Sequence, residues 1–320
     1  MATTAITRPA VAPLTLEASR PRIGEKVIVA WLFLAASLAV LITVGIVISL
    51  VLPTIDFFKT VPLDRFFSME PWGPLFADPT YGVVHIVGGT FAIVLYCSMI
   101  ALPAGLGSAI YMSEYAAPRT RKVLQPLLEI LEGIPTVVYG IFALFFVGPL
   151  IKDNWPTWLP GKLGEEPGFQ FLLVAGLVLG VMIIPTVASV AYDSMNAVPR
   201  SLREAAYGLG STRMQVATKV IVPSALSGIT ASFVLGLSRA VGETMVVLMA
   251  AGAMANLTLW PNDAILTMTA FIGRTATGDI STGGTSYYTV FAVGSLLFVI
   301  TLTVNMIAIA LVRRFREVYE

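Results

Sequence analysis

The chain has 320 residues, 56% of them hydrophobic and 12% charged, with a net charge of +1 and a mean hydropathy of +0.83. Soluble globular domains carry about 25% charged residues, so this composition excludes an ordinary soluble core and points to the bilayer as solvent. The near-neutral balance offers no bulk electrostatic case for nucleic acid, and one cysteine, Cys97, with one histidine, His85, excludes an internal disulfide and a cysteine–histidine zinc site.

Residues 1–26 are mixed in polarity and read as a tail. Val27 to Leu52 is then apolar, about 26 residues or ~39 Å of helix, enough to cross ~30 Å of hydrocarbon with tilt. A secretory signal has an apolar region of only about 7–15 residues, so 27–52 reads as a retained first membrane helix. Residues 53–82 read as an external loop, with Asp56, Asp64, Glu70 and Asp78 among Pro, Trp and Phe. Five more apolar runs follow, at Val83–Met112, Val123–Ile151, Phe169–Tyr192, Ser224–Ala253 and Tyr288–Val312. Backbone polar groups in lipid must be satisfied within the segment, and the runs are too long and too uniform for barrel strands. The fold class expected is therefore an all-α membrane protein with six transmembrane helices. A tail, 313–320, closes the chain.

Lysine and arginine set the orientation. Arg8, Arg20, Arg22 and Lys26, then Arg119, Arg121 and Lys122, then Arg200, Arg203, Arg213 and Lys219, then Arg313, Arg314 and Arg316 all fall on one side of a six-span layout. The opposite side holds Lys59, Arg65, Lys152, Lys162 and Arg274. Cytoplasmic loops carry the excess of such residues, which places both termini in the cytoplasm.

The fourth connection carries the most specific pattern. Leu202, Ala205, Ala206 and Leu209 recur at helical spacing. That helix starts either with Pro199 in its first turn or with Ser201 as cap and Glu204 completing a capping box. Gly208 and Gly210 stop it, and Ser211 or Thr212 can cap a second helix before Pro223 admits the chain to the next span. Glu204, Ala205, Ala206, Gly210 and Pro223 stand at the spacing of the coupling loop of ABC-importer permeases: E-A-A, three residues, G, nine residues, then I-x-L-P. Val220 and Val222 replace the usual Ile and Leu. The segment resembles that loop, and Ile134–Gly140, Met182–Pro185 and Gly236–Met245 are similar to phosphate permease subunits of the same class.

The resemblance implies a type I (MetI-like) permease fold over 83–312, with 200–223 as the segment that seats in an ATP-binding subunit. It implies as partners a second permease subunit, a dimer of ATP-binding subunits and an external phosphate-binding protein. Its cargo is implied to be inorganic phosphate. Other oxyanions such as molybdate, sulfate or phosphonate, the role of the sister phosphate permease, and an ion-coupled secondary transporter are the other readings. The chain has no G-x-x-x-x-G-K-[ST] loop, so ATP and magnesium are expected on the partner ATPase, with no cofactor or metal on this chain and no enzymatic activity of its own.

Within the fifth run, Arg239 and Glu243 are four residues apart and are expected to share one helix face as an ion pair, because a charge in lipid costs at least ~2.5–3.5 kcal/mol. The resemblance places Arg239, Glu243 and Thr244 on the substrate pathway. An ion pair that only locks the helix bundle is the other reading. Glu129 and Glu132 are expected near the amino end of the third span, where carboxylates favour the helix dipole. The fifth connection, about Asn256 to Ser286, includes Gly278–Gly284, a glycine-rich surface loop or a contact for an external partner.

Overall fold

The computed structural model describes residues 23–278 and 283–314. Outside the described residues lie 1–22 and 315–320, with Arg8, Arg20, Arg22 and Arg316, and residues 279–282 of the glycine-rich loop. The chain divides into two compact units, residues 1–49 and 50–320, and helix α1, Ile23–Thr60, begins in the first and ends in the second. In the first unit the helix is almost wholly apolar. Its Thr43 and Ser49 hydroxyls bond back to the carbonyls of Ala39 and Ile46, so neither hydroxyl stays unsatisfied in lipid.

α1 runs past the expected boundary at Leu52 and through Pro53 to Thr60. The segment read as a loop from 53 to 82 is thus helical over its first eight residues. It continues as α2, Leu63–Phe66, and a two-residue antiparallel ladder, β1 Trp72–Gly73 with β2 Thr80–Tyr81, that sets Trp72 opposite Tyr81. Edge-to-face contacts of Phe57, Phe66, Tyr81, Trp72 and Phe271 close this end.

The helices of the bundle follow. They are α3 Val84–Ile110 with a π-helical turn at Tyr111–Tyr115, α4 Pro118–Gly133, α5 Thr136–Phe142 with a π turn at Ala143–Val147, α6 Gly148–Asp153, and α7 Leu172–Asn196. Then come α8 Arg200–Gly208, α9 Arg213–Val216 with a π turn to Ile221, α10 Val222–Ser224, α11 Leu226–Gly242, α12 Met245–Ala250, α13 Met268–Thr277 and α14 Thr285–Arg314. Among the described residues five helical stretches are long and apolar enough to cross a membrane, and a sixth is reached when α9–α10 and α11, bent by 74° at Ala225, count as one span. The protein is an all-α, multi-pass membrane protein.

Two expected spans are broken. The run from Val123 to Ile151 is not one helix: Ile134 is extended, with ψ of 128°, because the proline that follows disfavours the helical region. The spanning part is Thr136–Asp153, and α4 before it is amphipathic with no buried side chain. The run from Ser224 to Ala253 also breaks, at Glu243, whose backbone is extended with ψ of 132°.

α7 is the centre of the second unit, packed by α3, α11, α4 and α12. Its buried face includes Leu179, Ile183, Val187 and Met195. α3 approaches it closely: a Cβ on Gly105 would sit 2.7 Å from the Val187 side chain. Gly89 on the same helix faces backbone, since a Cβ there would lie 2.4 Å from the Leu266 carbonyl oxygen. One residue on, the buried Thr90 hydroxyl accepts the Met268 N–H at 3.0 Å. Gly89→Ala should therefore separate α3 from the 265–268 strand of backbone and destabilise the protein by about 1–3 kcal/mol. Thermal unfolding of the detergent-solubilised protein measures this, and an unchanged midpoint would contradict so close an approach.

Candidate functional site

Arg239 lies in the last turn of α11. Its Nη1 donates to Glu132 Oε1 at 3.2 Å and to Thr186 Oγ1 at 2.9 Å, and the Thr186 hydroxyl donates to the same Glu132 oxygen at 2.8 Å. Three helices, α4, α7 and α11, thus meet in one guanidinium–hydroxyl–carboxylate cluster. Thr186 is buried, whereas the side chains of Arg239 and Glu132 keep 30% and 41% of their exposure.

This arrangement corrects two expectations. Arg239 does not pair with Glu243, because α11 ends at Gly242 and the helix face that four-residue spacing requires no longer exists. Glu243 is buried, and its Oε1 accepts the backbone N–H groups of Met245 at 2.9 Å and Val246 at 3.2 Å, capping α12. Its carbonyl accepts the Thr269 hydroxyl at 2.7 Å, which ties the break to α13. The carboxylate here takes the two backbone donors that a continuous helix would have satisfied. Thr244 completes the break, with its hydroxyl 3.3 Å from the Gly242 carbonyl. Glu132 is the second correction. α4 begins at Pro118, so Glu129 and Glu132 fall at its carboxyl end, where the dipole disfavours them. Arg239 offsets that cost at Glu132.

Residues 200–223, expected to be the coupling segment, form a helix–turn–helix. α8 starts at Arg200 with Pro199 at the N-cap position and no side-chain cap, so neither the first-turn proline nor the Ser201–Glu204 capping box forms. Gly210 has φ of +81°, the left-handed conformation that glycine adopts without steric cost. Thr212 then caps α9 in a capping box with Gln215. The expected apolar face divides. Ala206 is buried and Leu202 half-buried, while Glu204, Ala205, Leu209 and Met214 are exposed. Pro223 is exposed within α10, just before the 74° bend.

Sequence reading missed the clamp behind this segment. Arg203 Nη1 meets Glu114 Oε1 at 2.8 Å, and its Nη2 donates to the Met195 carbonyl at 2.7 Å. Ser113 donates to the same Glu114 oxygen, and Arg121 donates to the Ser113 carbonyl at 3.0 Å while its guanidinium lies 5.7 Å from the Tyr192 ring centre. Glu114 had a legible signal: it is an acid at the end of an apolar run, one turn before the cationic 119–122 cluster. Thr186 had none, because hydroxyls in membrane helices commonly bond their own backbone. On the other side of the molecule Lys162 pairs with Asp263 at 2.6 Å, which also accepts from Thr258, and Asn262 donates to the carbonyls of Lys162 and Glu165. These bonds hold the 154–171 and 251–267 segments together.

With this geometry in hand, comparison with known proteins is direct. Residues 101–317 match the binding-protein-dependent transport system inner membrane component family. The chain belongs to that family and is the permease subunit of an ABC importer. It is 37% identical over 238 residues to a permease protein of an ABC transporter, YqgH of Bacillus subtilis, covering 74% of each chain. It is 32% identical over 294 residues to the phosphate transport system permease protein PstC of Haemophilus influenzae, covering 89% of this chain and 91% of that one. Its fold is shared by a bacterial ABC transporter involved in alginate import, at 16% identity and a TM-score of 0.62, covering 93% of this chain and all of that one.

The Glu114–Arg203 pair is nearly enclosed, with side-chain exposures of 4% and 18%. Removing one partner of a buried pair strands the other charge and costs about 3–5 kcal/mol. Glu114→Ala should destabilise the protein toward the lower end of that range, about 3 kcal/mol, since Arg203 retains some solvent. The double substitution Glu114→Ala with Arg203→Leu should cost less than the sum of the singles. Unfolding midpoints of the three variants test this, and strict additivity would mean that the two side chains do not interact.

Proposed function

We propose that this permease moves inorganic phosphate inward across the cytoplasmic membrane, with both termini in the cytoplasm. A second permease subunit completes the pathway, an external phosphate-binding protein delivers the cargo, and a dimer of ATP-binding subunits supplies energy at the 200–223 segment. ATP and magnesium sit on those subunits. The observation that carries the reading is Arg239, a partly accessible guanidinium between three helices of a chain similar over nearly its whole length to a phosphate permease. Phosphate at neutral pH carries one to two negative charges and several acceptor oxygens, and a guanidinium offers it charge-assisted donors. Glu132 keeps the cation from becoming a trap, which suits passage better than storage. Thr244 and Glu243 line the break next to it. There the backbone leaves helical geometry, the kind of place where membrane transporters put their cargo sites.

Exposed Glu204, Ala205 and Leu209 with the Gly210 turn form the surface offered to the ATPase. Small side chains allow close approach, and the turn fixes the angle at which α8 meets its partner.

Arg239→Gln should leave the complex assembled and lower phosphate uptake into vesicles at least about tenfold, the factor that accompanies a loss of 1.4 kcal/mol from the barrier-lowering interaction. Uptake near the parent rate would remove Arg239 from the pathway. Competition of labelled phosphate uptake by molybdate, sulfate and phosphonate identifies the cargo among oxyanions. Glu204→Lys or Gly210→Asp should leave hydrolysis running while uptake stops, and intact coupling in both variants would exclude 200–223 as the docking segment.

A further inference from the structure

Helix α4 joins the two charged clusters described above. Its last turn carries Glu132, the counter-ion of Arg239, and its first turn carries Arg121, which is bonded to the Ser113 carbonyl beside the Glu114–Arg203 pair. The eleven residue steps from one to the other span about 16 Å at 1.5 Å per residue. α4 is held on one side only, where Leu124 and Leu128 pack partly buried against the cluster around the end of α7. It has no buried side chain, and an apolar cavity of about 390 Å³ lies between it and α3, lined by Ala104, Gly107, Tyr111, Leu124, Leu127 and Leu128. Beyond Glu132 the chain is unwound at Ile134, so α4 is not rigidly continued into the span that follows. Elements with few buried contacts are those that move at small energetic cost.

We propose that α4 is a two-ended latch. At rest Glu132 occupies Arg239 and α4 is drawn against α7. An oxyanion arriving at Arg239 takes the same guanidinium donors, displaces Glu132, and lets α4 shift into the adjoining cavity. The shift is felt at Arg121 and so at the clamp of Arg203, one residue from the ATPase-docking Glu204. Anion arrival and ATPase contact are thereby linked through this one helix. Glu132 acts as a positioning residue, exchanging with the cargo without binding it. The inference rests on the reading of Arg239 as the anion-pathway cation, but its first readout needs no cargo.

The test uses the whole complex, with both permeases, the ATPase subunits and the phosphate-binding protein, reconstituted in vesicles. Glu132→Gln should raise ATP hydrolysis in the absence of binding protein and phosphate about two- to fivefold, the size expected for losing a partly exposed ion pair worth a factor of about five at most. It should also lower the KM for phosphate uptake together with its Vmax, because removing the competitor for Arg239 tightens anion binding and slows release. Glu132→Asp should restore both toward the parent. Arg121→Gln should raise the cargo-free hydrolysis rate as well. The exchange Glu132→Arg with Arg239→Glu should bring cargo-free hydrolysis back down without restoring uptake, since the pair is remade but the cation has left α11. A parental cargo-free rate in Glu132→Gln or in Arg121→Gln overturns the latch. So does a parallel loss of hydrolysis and uptake in Glu132→Gln that Glu132→Asp does not rescue. Phosphate uptake at the parent rate in Arg239→Gln would instead overturn the pathway reading, while the cargo-free hydrolysis rates still report on the latch.

Discussion

A guanidinium set among apolar helices needs an acceptor within reach, because an unpaired charge in a low-dielectric environment costs several kcal/mol. Arg239 meets that need with Glu132 and Thr186, and much of the second unit is arranged so that it can. α7 brings a buried hydroxyl to the meeting point, α4 ends there, and α11 stops one turn beyond it. The chain then breaks twice nearby, at Ile134–Pro135 and at Glu243–Thr244. Each break has its own local cause: proline in the first, a carboxylate that serves as a helix cap in the second. Backbone that is not helical is admitted within a membrane protein only where side chains or neighbouring segments satisfy it, and Glu243 with Thr269 does so here.

The fold was largely legible in the sequence, because hydropathy responds to the length and uniformity of apolar runs. The placement of α3, α7 and α14 follows from that alone. The breaks were not legible from hydropathy, since Ile134, Pro135, Gly242 and Thr244 do little to lower the apolarity of a window. A reading that weighs X-Pro geometry would have divided the third run. The pairing of Arg239 failed for the same reason. Four-residue spacing means one face only if the helix is continuous, and here it ends between the two residues. Glu132 was visible as an acid near one end of the third span, but its partner is 107 positions away, and a single sequence carries no signal for such a pair.

The coupling segment was legible for a different reason. Its pattern is local: a helix, a turn that requires positive φ at Gly210, and a second capped helix all lie within 24 residues, and each is set by nearest-neighbour chemistry. The clamp that holds it in place is tertiary. Arg203 belongs to the local segment, yet its fixed partners, Glu114 and the Met195 carbonyl, come from the ends of α3 and α7. Charge counts assigned Arg203 to a cytoplasmic connection, which says nothing of its burial.

The two ion pairs differ in a way that bears on their roles. Glu114–Arg203 is almost enclosed, so neither partner can leave without stranding a charge, at a cost of about 3–5 kcal/mol. It behaves as a permanent joint between α8 and the bundle. Glu132–Arg239 is 41% and 30% exposed on its two sides, and pairs of that kind contribute about 0–1 kcal/mol. Such a pair can be traded for another anion with little penalty. Under the function proposed above the two pairs divide the work: a fixed joint behind the 200–223 segment, and an exchangeable one at the proposed pathway cation. Were the exposures reversed, Arg239 would hold its own carboxylate against any competing anion, and α8 would be free to shift on its support.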